Sequence, residues 1–277
     1  MCAAAHTFLG LRLLGGRSSV RCLLAPTWWD GMRRRRLDLV LTVAGTAVLV
    51  TSAALARRGV YRWEVDVFHA INGLPGSFRS LLWVLNQYGT AITIPVASAI
   101  ALAFRKWILA LSLLISGAGV YLFAKVLKGI VDRGRPAAVL TEVIEREAFS
   151  PNSLGYPSGH AAVAWAITII LLAYVGHPWQ IAAIVVAIFV PLVRMYVAAH
   201  LPLDLIGGAA LGVTVASAVN LVFGVPVRTR AEEIRAGPAQ RETSAGRATG
   251  QRGSRAEHSL SSGSRHPRSK GPRSPMP

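Results

Sequence analysis

Three groups of polar residues interrupt an apolar chain: Lys128 with Arg135-Pro136, Pro157-Ser158-Gly159-His160, and Arg194 with His200 and Asp204. An ionisable group at membrane depth costs about 2.5–3.5 kcal/mol at a helix centre on insertion scales, so it marks a functional site by default. Here three cations, two histidines and one carboxylate fall at the ends of apolar segments. That inventory suits the handling of a phosphoryl group.

Each group has its own chemistry. Arg135 offers a planar fork to two phosphate oxygens and Lys128 a point charge, so the pair can grip one phosphoryl group from two directions. Ser158 is a favoured residue for the start of a helix, whose free N–H groups and dipole make an anion site. Gly159 allows close backbone approach, and His160 projects from the same turn, able to give or take a proton. Pro202 suits the first turn of a following helix. His200 and Asp204 are four apart and can meet across a turn. A carboxylate on one imidazole nitrogen fixes the tautomer and leaves the other nitrogen free to attack.

The elements that must position these residues are apolar helices. The chain has 277 residues, 52% hydrophobic and only 16% charged, with mean hydropathy +0.44. This composition predicts a membrane protein. Stretches long enough to span a hydrocarbon core, about 20 helical residues, occur at 37–56, 81–104, 107–127, 159–176, 180–199 and 203–224. The predicted fold class is all-α, an integral membrane bundle of about six transmembrane helices. Gly207, Gly208 and Gly212 would allow close helix packing in the last span.

Net charge is +17, concentrated at the ends: seven Arg against one Asp in 1–36, and eleven Arg or Lys against four Glu in 225–277. Flanking arginines fit the positive-inside rule and argue against a nucleic-acid partner. Six spans then put both termini in the cytoplasm. Arg105-Lys106 agrees, while Arg57, Arg58 and Arg62 vote the other way. All three polar groups fall on the extracytoplasmic side. Trp63, Trp83, Trp107 and Trp179 read as interfacial anchors.

Three regions follow: a basic extension over 1–36, a six-span core over 37–224, and a basic tail over 225–277. The tail is rich in Arg, Ser, Gly and Pro, a composition that cannot bury a core. The extension reads as an interfacial segment, a disordered tail or a misassigned start, with Met32 ahead of four arginines the alternative start. Both cysteines, Cys2 and Cys22, lie in it, so neither a core disulfide nor a cysteine metal site is expected. The acidic neighbours of the polar groups, Asp132, Glu142, Glu145 and Glu147, read as solvated loop residues. Neither a metal nor a cofactor is expected.

Together the three groups resemble the motifs of the type 2 phosphatidic acid phosphatase (PAP2) superfamily, K-x6-RP, PSGH and SR-x5-H-x3-D, over a core from about Leu37 to Gly224. Val193 stands where the third motif has serine, an auxiliary phosphate contact in that family. The resemblance implies a PAP2/haloperoxidase-like helical core and a metal-independent lipid phosphatase. It implies His200 as the nucleophile forming a phosphohistidine, Asp204 as its orienter and His160 as general acid and base. Lys128, Arg135, Ser158, Gly159 and Arg194 would bind the phosphate.

The Ala-, Val- and Arg-rich composition points toward a GC-rich bacterium. There an outward site suits a polyprenyl (undecaprenyl or decaprenyl) diphosphate carrier, with phosphatidate or phosphatidylglycerophosphate as the alternative. Vanadium haloperoxidases share such an anion site but are soluble. A non-catalytic lipid-phosphate binding or transport protein would be expected to lose His160, His200 or Asp204, and all three are present.

Overall fold

The computed structural model describes residues 32–150 and 153–226. The chain begins with a two-residue strand, β1 (Met32–Arg33), and continues through α1 (Arg36–Ala56), α2 (Arg62–Asn72), α3 (Arg79–Gln87), α4 (Thr93–Ala103) and α5 (Trp107–Val131). After a single turn, α6 (Pro136–Val139), come α7 (Gly159–Leu171), α8 (His177–Tyr196), α9 (Pro202–Phe223) and a closing strand, β2 (Val225–Pro226). The expected extension up to residue 31, with Cys2 and Cys22, and the expected tail from residue 227 lie outside the described residues.

Helices α1, α5, α8 and α9 are long and apolar enough to cross a bilayer, whereas α4 and α7 are apolar but shorter. The largest departure from the expected spans is at 81–104, which is two helices, α3 and α4, with a break between them. The Thr90 and Thr93 hydroxyls donate to the Gln87 carbonyl at 2.7 and 2.6 Å, turning the chain out of its helical path. Gly89 lies at this break, packed so closely that a β-carbon would meet the His160 carbonyl and Val190 at 2.7 Å. The expected fourth span also ends early: Gln180 Nε2 caps the Leu172 carbonyl at 2.7 Å, just after α7.

Helix α7 is the centre of the bundle. Its apolar residues run all round, as in a helix surrounded by protein, and Ala161 to Ala164 and Ala166 to Ile170 are buried. Small residues bring α9 against it. A β-carbon on Gly208 would strike the Ser158 carbonyl, and one on Gly212 the Ala162 carbonyl. Two main-chain segments can approach this closely only without side chains, as the glycine run in α9 predicted.

On the outside, α1 exposes Leu37, Leu39, Val40, Val43 and Val50, and α5 exposes Leu111, Leu114, Leu122 and Phe123. These faces suit a hydrocarbon solvent. Trp83, Trp107 and Trp179 are also exposed, as interfacial anchors would be.

The ends of the core meet. Strand β1 pairs antiparallel with β2, Met32 opposite Pro226. Beside them buried Asp38 accepts from Arg35 at 2.9 Å and from Asn220 at 3.1 Å. Asn220 is sixteen residues beyond Asp204, about 24 Å along α9 at 1.5 Å per residue. The Asp204 end of the bundle is therefore nearly a hydrocarbon thickness from the paired ends.

Candidate active site

The three sequence groups come from different elements and are tied together by hydrogen bonds to backbone. Lys128 lies in the last turn of α5, not beyond it, and donates to the Leu154 carbonyl at 2.7 Å. Gly155 N–H donates to the Arg133 carbonyl at 2.7 Å. The segment after α5 is thus strapped to the segment before α7. Arg135 reaches the third group, donating to the Ala199 carbonyl at 3.2 Å. The Ser158 N–H donates to the Asp204 carbonyl at 2.9 Å, joining the second group to the third.

Ser158 occupies the start of α7 as expected, but its hydroxyl does not cap the helix. The hydroxyl oxygen is fully buried and has no hydrogen-bond partner among the described residues. Arg135 Nε, Arg194 Nε and His200 Nδ1 are likewise buried without a hydrogen-bond partner among the described residues. Buried polar atoms ordinarily find partners. His200 Nδ1 faces Asp204, but Arg135, Ser158 and Arg194 bring one unused donor from each of the three sequence groups, which fits an anionic ligand.

His200 owes its position to the end of α8. The Ala199 N–H closes back on the Arg194 carbonyl at 2.9 Å, and Ala198 takes the left-handed conformation, φ 64°. This wrap ends the helix as a Schellman motif does, with alanine where glycine is usual. A non-glycine residue in that region is strained, and such strain collects at functional sites. His200 therefore lies in the link before α9, and Asp204 in the first turn of α9. Asp204 Oδ2 accepts the Leu201 N–H at 2.9 Å and stands 3.7 Å from His200 Nδ1. That gap is too long for a hydrogen bond. Such contacts often tighten only when substrate is present.

Burial pushes His200 down to about 4, helped by Arg194 and Arg135 and opposed by Asp204. Its imidazole is neutral at pH 7. Arg194 and Arg135 also act on His160, so both histidines share one electrostatic neighbourhood. His160 lines two cavities. One, of about 430 Å³, is apolar and runs between α4, α5 and α7. The other, of about 400 Å³, lies between α3, α8 and the 146–147 segment.

Arg194 donates to Glu147 Oε2 at 3.1 Å and to Asn86 Oδ1 at 3.4 Å. Glu147, read from the sequence as merely solvated, is thus an ion-pair partner of the site, although 46% of its side chain is exposed. The ring of Phe149 lies 4.2 Å from the Arg135 guanidinium and 5.6 Å from that of Arg194. Val193, in the place of the motif serine, is buried beside Arg194 and contributes to the second cavity.

Two further charged residues escaped the sequence reading. Arg133 donates to Glu64 at 2.7 and 3.1 Å and to Asp204 Oδ1 at 3.1 Å. Glu64, fully buried on α2, also accepts the Leu203 N–H at 3.0 Å. The available signal was Arg133 itself, a third cation inside the first motif. Tyr156, next to the second motif, had no role assigned from the sequence: its hydroxyl bonds Ser52 at 2.9 Å and the Leu49 carbonyl at 3.0 Å, fixing the Pro157-Ser158 segment to α1. Among the described residues no group of three or more His, Cys, Asp or Glu is placed to hold a metal ion.

Comparison with known proteins agrees with this architecture. The PAP2 superfamily profile matches residues 105–226. The chain is 30% identical over 155 residues to an undecaprenyl-diphosphatase of Sulfolobus acidocaldarius, covering 54% of this chain and 73% of that one. It is also 30% identical over 190 residues to a decaprenylphosphoryl-5-phosphoribose phosphatase of Mycobacterium tuberculosis, covering 64% and 98%.

Two crystal structures share the fold. Aquifex aeolicus LpxE aligns with a TM-score of 0.54 at 20% identity, covering 57% of this chain and 95% of that one. A PAP2-type phosphatidylglycerolphosphate phosphatase from Bacillus subtilis aligns with 0.52 at 23% identity, covering 65% and 94%. With relatives matched over most of their own length and a bundle that repeats the fold of membrane phosphatases, this helical membrane protein belongs to the PAP2 superfamily.

Proposed function

We propose that the core over 37–224 is a phosphatase domain that hydrolyses a lipid phosphate, most simply a polyprenyl diphosphate, through a phosphohistidine. The observation that carries this reading is the strapping of three separate polar groups around one fully buried pair, His200 and Asp204. The names of the two relatives at 30% identity, one an undecaprenyl-diphosphatase and one a decaprenylphosphoryl-5-phosphoribose phosphatase, support a polyprenyl tail.

With Nδ1 on the Asp204 side, His200 Nε2 is the nitrogen left to attack phosphorus. The neutral imidazole needs no prior deprotonation. Phosphoryl transfer depends chiefly on positioning and charge neutralisation. Lys128, Arg135 and Arg194 supply the charge, and the Ser158 hydroxyl and Gly159 N–H supply further donors. As the N–P bond forms, the bond from phosphorus to the leaving oxygen breaks and that oxygen takes a proton from His160. Water then attacks the phosphohistidine, losing a proton to His160 and restoring His200. Three fixed cations take the charge-neutralising role, so metal independence is part of the proposal.

The site is read as extracytoplasmic, with both termini cytoplasmic. The separation of Asp204 from the paired strands along α9 supports opposite faces, and the flanking arginines support the choice of face. A C-terminal reporter active only outside the cytoplasm would reverse it.

Phosphate release in excess EDTA from a polyprenyl diphosphate and from phosphatidate, by the detergent-purified chain beside His200→Ala, tests the function. Release by the wild type alone is expected, faster from the diphosphate. Silence of both proteins with intact lipid-phosphate binding would move the chain to a binding role, and a requirement for added Mg²⁺ would remove metal independence.

A further inference from the structure

The apolar cavity between α4, α5 and α7 contains one charge that the mechanism above does not use. Lys125 lines it together with Lys128 and His160, while Val120, Tyr121, Ala124 and Val163 supply apolar wall. Three positions before Lys128, it projects from the same face of α5, about 4.5 Å farther from the polar end of the bundle. It is exposed and has no hydrogen bond or ion pair among the described residues. A lysine on a lipid-facing helix can extend its amine to the interface. Lys125 instead borders the cavity that opens beside the site, and an ionisable group along such a path belongs to substrate handling by default.

In the reaction above His160 protonates the leaving oxygen. It lines both this cavity and the one between α3 and α8, and of the two this one has the apolar wall that suits a lipid tail, which places the leaving group at its mouth between His160 and the two lysines. A simple lipid alcohol there would place carbon against the Lys125 ammonium. A phosphate would place charge against it.

We propose that Lys125 is the contact for a second phosphate, lying between the attacked phosphoryl group and the lipid tail, and that it makes the chain selective for lipid diphosphates over monoesters. This rests on the lipid phosphatase reading above. In the transfer step the His200 N–P bond forms at the terminal phosphorus and the bond from that phosphorus to the bridging oxygen breaks. The bridging oxygen leaves on the lipid monophosphate and takes the proton of His160. The charge remaining on that monophosphate faces Lys125. The cavity floor is apolar, where Ile94 of α4 packs on Gly117. Gly117 is eleven residues before Lys128, about 16 Å along α5. The first part of an apolar tail therefore has a surface to follow below the second phosphate.

The test is phosphate release by the full chain, wild type, Lys125→Gln and Lys125→Arg, on a polyprenyl diphosphate and on the monophosphate of the same tail. Lys125→Gln is expected to lower the diphosphate-to-monophosphate ratio of kcat/KM about tenfold, the equivalent of about 1.4 kcal/mol, and Lys125→Arg to restore most of it. An equal loss on both substrates, or no change in the ratio, overturns the assignment of Lys125 while leaving the phosphatase reading in place. A wild type that cleaves only the monophosphate also overturns it. A wild type silent on both lipids overturns the phosphatase reading and the assignment with it.

Discussion

Arg133 donates to Asp204 Oδ1 at 3.1 Å, so the carboxylate facing His200 is itself held by a cation. The same guanidinium takes Glu64 in a two-pronged grip. All three side chains are buried. Replacing Arg133 by Met would leave two carboxylates in a low-dielectric interior with backbone N–H donors but without the cation they share, and breaking a buried pair from one side costs about 3–5 kcal/mol. Thermal unfolding in detergent should show a large loss of stability for Arg133→Met. Retention of wild-type stability would mean the carboxylates find another partner or take up protons at little cost.

In the proposed mechanism the arrangement of His200 sets an acid limb for activity. Its charged form is disfavoured by burial and by Arg194 and Arg135, beyond what Asp204 restores, and its titration falls near 4. In the proposed reaction the attacking form of His200 is the neutral one, so kcat/KM, which reports the free enzyme, should be lost to protonation of His200 only as pH nears 4, while the need for a protonated His160 raises it as pH falls toward that limit. A His200 at its ordinary value would have placed that loss near 6.5. Asp204→Asn removes the one opposing charge in this set. Its acid limb should shift lower still while kcat drops, because the tautomer is no longer fixed. An acid limb unmoved by Asp204→Asn would assign that titration to another group.

Glu147 competes with the expected ligand for Arg194. A phosphoryl group arriving at Arg194 must displace a carboxylate that is half in solvent and can swing away. Glu147→Gln should therefore lower KM for the lipid phosphate and strengthen inhibition by inorganic phosphate, with kcat within about twofold, because Glu147 touches Arg194 and not the reacting histidines. A higher KM would show that Glu147 orients Arg194 for binding.

The apolar runs and the three motifs were readable because each depends on local sequence: hydropathy over twenty residues, or side chains held within one loop and one turn. Pro202 opened α9 where expected, and His200 and Asp204 came together. The break between α3 and α4 was not readable in this way. It depends on the Thr90 and Thr93 hydroxyls finding one carbonyl and on Gly89 lying against the main chain of a helix about seventy residues later. Hydropathy does not register either contact. Glu64 was missed for a similar reason. Its partner Arg133 lies 69 positions away, and an acid on a short amphipathic helix that also carries Asp66 looks solvated until the fold buries it. Ser158 shows the opposite error: its type predicted a helix cap, whereas its hydroxyl has no hydrogen-bond partner among the described residues.

That free hydroxyl permits a separation of stability from catalysis. Ser158 Oγ is buried and makes no hydrogen bond among the described residues, so the folded state carries its desolvation without a compensating bond. Removing an unsatisfied buried hydroxyl is close to neutral or stabilising, whereas removing one partner of a formed bond is costly. Ser158→Ala should therefore melt at or above the wild-type temperature. If the hydroxyl donates to the phosphoryl oxygens as charge develops, the same substitution should lower kcat on the order of 100-fold, the scale of losing one such donor. Measured together, an unchanged Tm with a reduced kcat assigns the hydroxyl to the reacting group. A reduced Tm with unchanged kcat would instead give Ser158 a structural bond and leave Arg135, Arg194 and the Gly159 N–H to carry the charge.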